Sequence, residues 1–135
     1  MIQRILIICT LGFVLSLAPL ATFSQAAGQD GFIGVITKSD KQEKVGARIT
    51  FANMRTSRPF ITYPDGIGAE AIKVFEDDTL IVLVFVAELT GSTDTFHLNK
   101  KRMRFTRVEI GALEATVEEK DFQPIFSFGT LKTLK

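Results

Sequence analysis

The stretch TLIVLVFVA at residues 79–87 decides the fold, because it holds the longest apolar run of the chain beyond the first 26 residues. Eight apolar residues follow one another at positions 80–87, and five of them are β-branched or aromatic. Such side chains favour a strand, and eight residues would make only a short helix. Since successive side chains of a strand point to opposite faces, the unbroken run predicts a central strand that is covered on both sides.

A membrane-spanning helix is the alternative interpretation of the same run. Crossing a bilayer takes about 20 apolar residues. This run is preceded by the acidic residues Glu76, Asp77 and Asp78, and it ends at Glu88. The short length and the flanking charges favour the strand, and we do not expect an integral membrane protein after removal of the N-terminal segment.

That N-terminal segment, residues 1–26, is typical of a secretory signal peptide. Arg4 supplies the basic start, residues 5–20 supply the apolar centre, and Ser24 and Ala26 are small residues at the −3 and −1 positions. The pattern predicts cleavage before Ala27. An uncleaved membrane anchor is the alternative, and the small-residue cleavage site argues against it.

The chain therefore divides into a signal peptide at 1–26, a flexible lead-in at 27–31 and a single β domain at 32–135. Its one cysteine, Cys9, lies inside the signal, so cleavage would leave 109 of the 135 residues with no cysteine. This excludes intrachain disulfides, thiol catalysis and cysteine–zinc sites in the mature chain. A domain of this size can be held by core packing alone. We expect a periplasmic or secreted location, and the lack of disulfides suits a bacterial periplasm.

The charge of the mature chain is balanced. The full chain has 16 Lys and Arg against 15 Asp and Glu, and loss of Arg4 leaves 15 of each sign. No overall field would then attract the protein to nucleic acid or to an anionic membrane. Any electrostatic function must come from a local cluster of charges.

Alternation of polar and apolar residues predicts the strands on either side of the central run. Residues 45–54 alternate most clearly, and Pro64, Asp65 and Gly66 have the character of a tight turn. Residues 112–121 fit either a short helix or a strand. The predicted strands are 32–37, 45–54, 60–63, 68–75, 79–87, 93–99, 103–110 and 122–131.

We therefore predict an all-β fold, a single antiparallel meander of about 7–8 strands with at most one short helix. Whether the sheet closes as a small barrel or folds as a two-layer sandwich stays open. Pro124 cannot donate a backbone hydrogen bond, so it indicates that the last strand lies at a sheet edge or contains a bulge.

The residues that could perform catalysis or bind a metal are few. His97 is the only histidine, and Ser92, Thr93 and Thr95 near it form no recognisable nucleophile–base arrangement. A lone histidine without cysteines does not make a zinc site. The acidic residues 76–78 lack the alternating ligands of a calcium loop and predict a solvated turn. We therefore predict no catalytic residue, no metal and no cofactor.

The sharpest local feature is the sequence KKRMRFTR at residues 100–107, in which five of eight residues are basic. It predicts a basic hairpin that binds a protein partner or an anionic, lipid-like ligand. The alternative is a solvated turn whose positive charges protect an edge strand. The candidate binding residues are Lys100, Lys101, Arg102, Arg104, Phe105 and Arg107.

Three hypotheses on function follow. The first is an exported, non-enzymatic β domain that binds a protein or a small anionic or lipid-like ligand. The second is a small hydrolase or isomerase that uses His97 with Asp94 or a nearby hydroxyl group. The third is a structural envelope component that assembles with copies of itself. The oligomeric state is not readable from the sequence, and an exported chain without RNA-binding signatures argues against nucleic acid.

Overall fold

The computed structural model describes residues 30–111 and 123–135. Within these residues the chain forms nine strands and one turn of 3-10 helix, Gln42–Lys44. The predicted signal peptide, most of the lead-in and the ambiguous segment 112–121 lie outside the described residues. The strands are β1 Gly31–Ser39, β2 Arg48–Ala52, β3 Phe60–Thr62, β4 Gly68–Glu70, β5 Ile72–Glu76, β6 Leu80–Val86, β7 Thr93–Asn99, β8 Arg104–Ile110 and β9 Ile125–Thr133.

All nine strands belong to one antiparallel sheet, in the order β4-β3-β2-β1-β9-β8-β7-β6-β5. The two outermost strands, β4 and β5, are halves of one stretch that meet at Ala71. The Ala71 N–H donates to the Pro59 carbonyl (2.8 Å), and the Lys73 N–H donates to the Ser57 carbonyl (3.0 Å). This stretch thus pairs on one side with β3 and the residues just before it, and on the other side with β6. The sheet consequently curls into a nearly closed barrel.

The predicted all-β antiparallel meander is confirmed, and the sheet forms a barrel. The strand count is slightly higher than predicted, because the predicted strand 68–75 is divided at Ala71. Of the two alternatives predicted for the last strand, the edge position is wrong, since β9 pairs with both β1 and β8. The register between β1 and β9 does shift, but the extra residue lies on β1, between Ile36 and Lys38. Pro124 precedes β9 and so removes no hydrogen bond from the sheet.

Because neighbouring strands are antiparallel, their connections alternate between two ends of the barrel. The connections after β1, β3 and β6 lie at what we term the upper end, together with Gly111 after β8. The connections after β2, β5 and β7 lie at the lower end. No helix in the described part of the chain is long and apolar enough to cross a membrane.

Inward side chains fill the barrel, as expected for about eight strands around a single core. The Phe51 ring meets the edge of the Phe96 ring at 5.2 Å and that of Phe105 at 6.0 Å between centroids. Burial of each such side chain stabilises the fold by about 1.5–3 kcal/mol. The fully buried core consists mainly of Ile36, Ile49, Phe51, Ile61, Ile81, Leu83, Phe96 and Leu98.

Gly129 on β9 makes room for the ring of Phe105. A Cβ atom at this position would lie 2.3 Å from Phe105 Cε1 and 2.3 Å from the Val35 carbonyl oxygen. Gly34 is similarly constrained, since its Cβ would lie 2.8 Å from the same ring carbon. The close approach of these backbones to Phe105 therefore requires glycine at both positions.

The decisive run forms β6, which pairs with β5 and β7 as a strand inside the sheet. Its inward residues Ile81 and Leu83 are buried, but Val82 and Val84 on the outer side are only half-buried and Val86 is exposed. The expectation that both faces are covered is therefore wrong for the outer face. A barrel wall has one covered face, so the outer apolar side chains are left at the surface.

Candidate functional site

The basic hairpin lies at the lower end, where β7 turns into β8. The Asn99 side chain closes the turn by accepting a hydrogen bond from the Arg102 N–H (2.8 Å), and Met103 takes a left-handed backbone conformation (φ 50°). Along β8 the side chains alternate. Arg104 consequently points outward, whereas Phe105 and Arg107 point into the barrel.

The six predicted binding residues thus fall into two groups. Lys101, Arg102 and Arg104 are exposed, and Lys100 beside them is half-buried with its Nζ 3.2 Å from Glu76 Oε1. The other two are inside: Phe105 belongs to the core, and Arg107 lies near the upper end. The structure therefore brings the cations of residues 100–104 together and separates Arg107 from them.

The exposed arginines border an open depression of about 490 Å³ on the outside of the barrel. We name it the lower depression. Its lining residues come from β7, β8, β9 and the turn between β7 and β8, with Thr37 of β1 and Leu80 of β6 at its two sides. No carboxylate is among the described residues that line it. The polar and aromatic side chains that could contact a ligand there are His97, Asn99, Arg102, Arg104, Phe128 and Thr130.

The strand register holds these groups in place. Arg104 lies between Asn99 on β7 and Thr130 on β9, and the next outward row places Thr106 between His97 and Phe128. Neither Arg102 nor Arg104 has a carboxylate oxygen within 4 Å in the described part of the chain. Their guanidinium groups are free to bind an anion from outside.

The acidic residues 76–78 form the turn beside the basic hairpin, as predicted. The Lys100 N–H donates to the Thr79 carbonyl (2.7 Å), which joins the two turns. The Lys73 ammonium and, more weakly, that of Lys100 donate hydrogen bonds to Glu76 and hold the pKa of its carboxyl below the usual value. Asp78, in contrast, has no ion-pair partner within the described residues.

Asp77 has a structural role in that turn. Its Oδ1 accepts the backbone N–H groups of Leu80 and Thr79, each at 2.7 Å. These two hydrogen bonds favour the ionised form, so they lower the pKa of the Asp77 carboxyl. The side chain therefore fixes the turn and the start of β6.

At the upper end, a buried ion-pair network occupies the mouth of the barrel. The Arg107 Nη2 lies 2.7 Å from Asp94 Oδ2 and 3.2 Å from Glu109 Oε1. Lys44 from the 3-10 turn reaches Glu109 at 2.5 Å. The Arg107 guanidinium also stacks over the Tyr63 ring, 5.2 Å from its centroid. We name this group, with Tyr63, the upper mouth cluster.

Tyr63 completes the upper mouth cluster by donating its hydroxyl to Asp94 Oδ2 at 2.8 Å. Burial, followed by the negative charge of Asp94, raises the pKa of the Tyr63 hydroxyl far above its usual value of 10.0. The phenol therefore acts as a hydrogen-bond donor and not as a nucleophile. Open clefts of about 250 and 320 Å³ lie on either side of Arg107.

The charges of the upper mouth cluster satisfy one another. Two cations, Lys44 and Arg107, face two carboxylates, Asp94 and Glu109. Every buried side-chain nitrogen or oxygen in the described part of the chain has a hydrogen-bond partner. An incoming ion would have to displace an existing pair, so the cluster fits a structural role better than a binding role.

The sequence interpretation missed Tyr63, Asp94 and Glu109 as partners of Arg107, and Lys44 as a second cation on Glu109. A signal was present, because Asp94 shares its strand parity with Phe96 and Leu98 and must point inward with them. A carboxylate at such a position requires a buried cation. Arg107 lies two positions from Phe105 on its strand, so the same alternation predicts that Arg107 points inward and is that cation.

His97 and Asp94 do not meet. They lie three positions apart on β7, so Asp94 points into the barrel and His97 is exposed on the outer wall. The outward neighbours of His97 across the sheet are Val82 and Thr106. Among the described residues, no group of three His, Cys, Asp or Glu side chains is placed to hold a metal ion.

Comparisons of the chain with protein-family models, with curated proteins and with solved structures found no match.

Proposed function

We propose that this protein is an exported, non-enzymatic binding module that holds an anionic group in its lower depression. The observation that carries the proposal is the pair of exposed guanidinium groups, Arg102 and Arg104, in a depression that no described carboxylate lines. The proposed export depends on the signal-like pattern of residues 1–26.

The chemistry of the depression fits a carboxylate, phosphate or sulfate group. Arginine donates hydrogen bonds in a planar fork that matches such groups in a bidentate manner. Asn99 and Thr130 beside Arg104 add neutral donors, and the exposed ring of Phe128 adds an apolar edge. The anionic group belongs to a protein partner or to a lipid-like molecule.

The filled barrel also favours an outer binding surface. The rings of Phe51, Phe96 and Phe105 pack against one another at the centre of the described strands. A lipid-like ligand inside the barrel would have to displace them. The outward position of His97, with Asp94 on the opposite face, gives no support to a hydrolase that pairs His97 with Asp94.

A heparin-derived hexasaccharide tests the proposal, because its sulfates supply the expected chemistry in soluble form. We expect isothermal titration calorimetry to detect binding that weakens as salt is added. The double variant R102E/R104E should bind at least about tenfold more weakly.

The matched control is Arg48→Glu. Arg48 is also exposed on the outside of the barrel and has no ion-pair partner in the described part of the chain, but it lies on β2, outside the lower depression. Its replacement should leave hexasaccharide binding unchanged. Equal losses in R48E and in the single variant R104E, which change the net charge by the same amount, would reduce the effect to net charge and contradict the proposal, as would binding that survives in R102E/R104E.

A further inference from the structure

The outward side chains of β5 to β9 form a surface that carries no Lys, Arg, Asp or Glu over three successive rows, and we name it the outer wall. Its middle row, aligned by the strand register, is Ile72, Val84, Thr95, Val108 and Phe126. The row above contains Val86, Thr93 and Ile110. Apolar and threonine side chains therefore extend across five neighbouring strands.

The row below the middle one is Phe75, Val82, His97, Thr106 and Phe128. Several aromatic and aliphatic side chains of the outer wall are well exposed: Ile72 at 52%, Phe75 at 47%, Phe126 at 41% and Phe128 at 43%. Single exposed apolar residues are ordinary, but a continuous uncharged patch marks an interaction surface.

The size of the outer wall fits a protein interface. Five strands about 4.8 Å apart and three rows about 7 Å apart cover roughly 500 Å². The lower depression and the acidic turn at residues 76–78 add to this along the lower edge. The sum approaches the area of about 800 Å² that each partner buries in a stable interface.

The lower edge also shows which partner fits. The acidic turn joins β5 to β6, whereas Arg104 and Thr130 of the lower depression lie on β8 and β9, on the other side of β7. A two-fold axis running along β7 between two facing walls exchanges these positions. The acidic turn of one copy then lies over the basic depression of the other, twice, as an isologous contact requires.

The same operation matches the apolar rows. It places β5 opposite the partner's β9 and β6 opposite the partner's β8. Phe75 therefore faces the partner's Phe128, and Ile72 faces the partner's Phe126. Thr95, in the middle of β7, lies on the axis and faces its own copy. Uncharged residues thus meet uncharged residues, while the opposite charges meet at the edge.

We propose that this protein forms a symmetric homodimer in which the outer walls face each other and the acidic turn of each copy occupies the lower depression of the other. The inference rests on the proposed function, since the anionic group in the depression is here the turn with Asp78. A second copy thereby completes the site.

Sedimentation equilibrium tests the contact between the walls, with protein recovered after expression of the full-length chain. We expect a dimer for the native sequence and a monomer for Thr95→Glu, which would place two carboxylates face to face on the axis. Thr50→Glu is the matched control, because Thr50 is an equally half-buried, outward threonine, on β2. A monomeric native protein, or equal effects of both variants, would overturn the dimer.

Charge exchange tests the docking of the acidic turn. Asp78→Arg and Arg104→Asp should each weaken the dimer about tenfold or more, and the double variant D78R/R104D should restore most of the loss, because opposite charges meet again. Asp78 serves this purpose because Asp77 fixes its turn and Glu76 is paired. Losses that simply add in the double variant would overturn this docking.

The hexasaccharide separates failure of the dimer from failure of the proposed function. Two results together support both the dimer and the proposed function. The T95E monomer binds the hexasaccharide at least as tightly as the native protein does, and excess hexasaccharide dissociates the native dimer. A native monomer that binds the hexasaccharide through Arg102 and Arg104 overturns the dimer and leaves the proposed function standing. If the native protein is a dimer, and neither this dimer nor the T95E monomer binds the hexasaccharide, the proposed function is contradicted.

Discussion

Two arginines on one strand, Arg104 and Arg107, have opposite surroundings. Arg107 points into the barrel, is 8% exposed and lies against Asp94, Glu109 and Tyr63. Arg104 points outward at the other end and has no carboxylate within 4 Å in the described part of the chain. The upper mouth cluster satisfies its own charges, whereas the lower depression leaves its cations exposed.

The two arginines differ in what their charge does: the charge of Arg107 is used within the fold, whereas the charge of Arg104 is available to a ligand. A buried guanidinium carries a large desolvation cost, and only close carboxylates offset it. An exposed guanidinium costs little and contributes little to stability by itself. Arg104 and Arg102 therefore contribute little to the fold, and their position in a depression is explained by the proposed binding of an anionic group.

We expect the largest effect from removing the buried ion pair between Arg107 and Asp94. Arg107→Met would leave Asp94 buried without its cation, so we expect the free energy of unfolding to fall by about 3–5 kcal/mol. Urea denaturation followed by circular dichroism measures this loss. Arg104→Met, the control on the same strand, should change stability by less than about 0.5 kcal/mol when both variants are compared in the T95E background, in which no second copy contacts Arg104.

Similar losses in the two methionine variants would contradict the distinction between the two ends. A small loss in both would mean that the upper mouth cluster is not required for the fold. A large loss in both would mean that Arg104 has a structural partner.

A smaller effect comes from Gly129, which lines the lower depression on one side and the core on the other. Gly129→Ala would push a Cβ atom against the Phe105 ring and the Val35 carbonyl, so we expect a loss of about 1–3 kcal/mol in thermal or urea unfolding. Gly111→Ala is the control, since a Cβ atom there has no neighbour within 4 Å. If the two variants are equally stable, the close packing of Gly129 against Phe105 and the Val35 carbonyl does not hold this side of the depression in place.

The smallest effect concerns Glu76 in the acidic turn. Lys73 and Lys100 lower the pKa of its carboxyl below the usual 4.5. A carboxyl with a lower pKa in the folded state adds stability above the unfolded-state pKa, and this stability is lost as the pH falls through the folded-state value. Glu76→Gln should therefore flatten the decline in stability below about pH 4.5.

Denaturation at a series of pH values checks the Glu76 prediction. Glu88→Gln is the control, because Glu88 is exposed after β6 at the upper end and has no ion-pair partner within the described residues. If E76Q keeps the full acid decline while E88Q loses it, the role assigned to Glu76 is wrong.

The alternation of side chains predicted much of the fold. Residues 93–99 and the basic return strand were placed nearly as β7 and β8 occur, and the acidic residues 76–78 form the expected turn. The closure of the sheet was not readable, because it depends on Ala71, where one stretch changes its pairing partner. No local pattern marks such a corner.

The candidate site was predicted in part. The six residues were grouped because they are close in sequence, but neighbouring residues of a strand point to opposite faces, so Phe105 and Arg107 are separated from Arg104. The upper mouth cluster depends on distant contacts such as Tyr63 with Asp94, 31 positions apart. The outer contribution of Phe128 and Thr130 likewise requires the pairing of β8 with β9.

The most direct measurement of the central claim is nuclear magnetic resonance of the arginine side chains during titration with inorganic phosphate. We expect the Nε–Hε signals of Arg102 and Arg104 to shift with phosphate, whereas the signal of Arg107 stays in place because Asp94 already accepts hydrogen bonds from that group. A shift confined to Arg107, or signals of Arg102 and Arg104 that do not move, would contradict it.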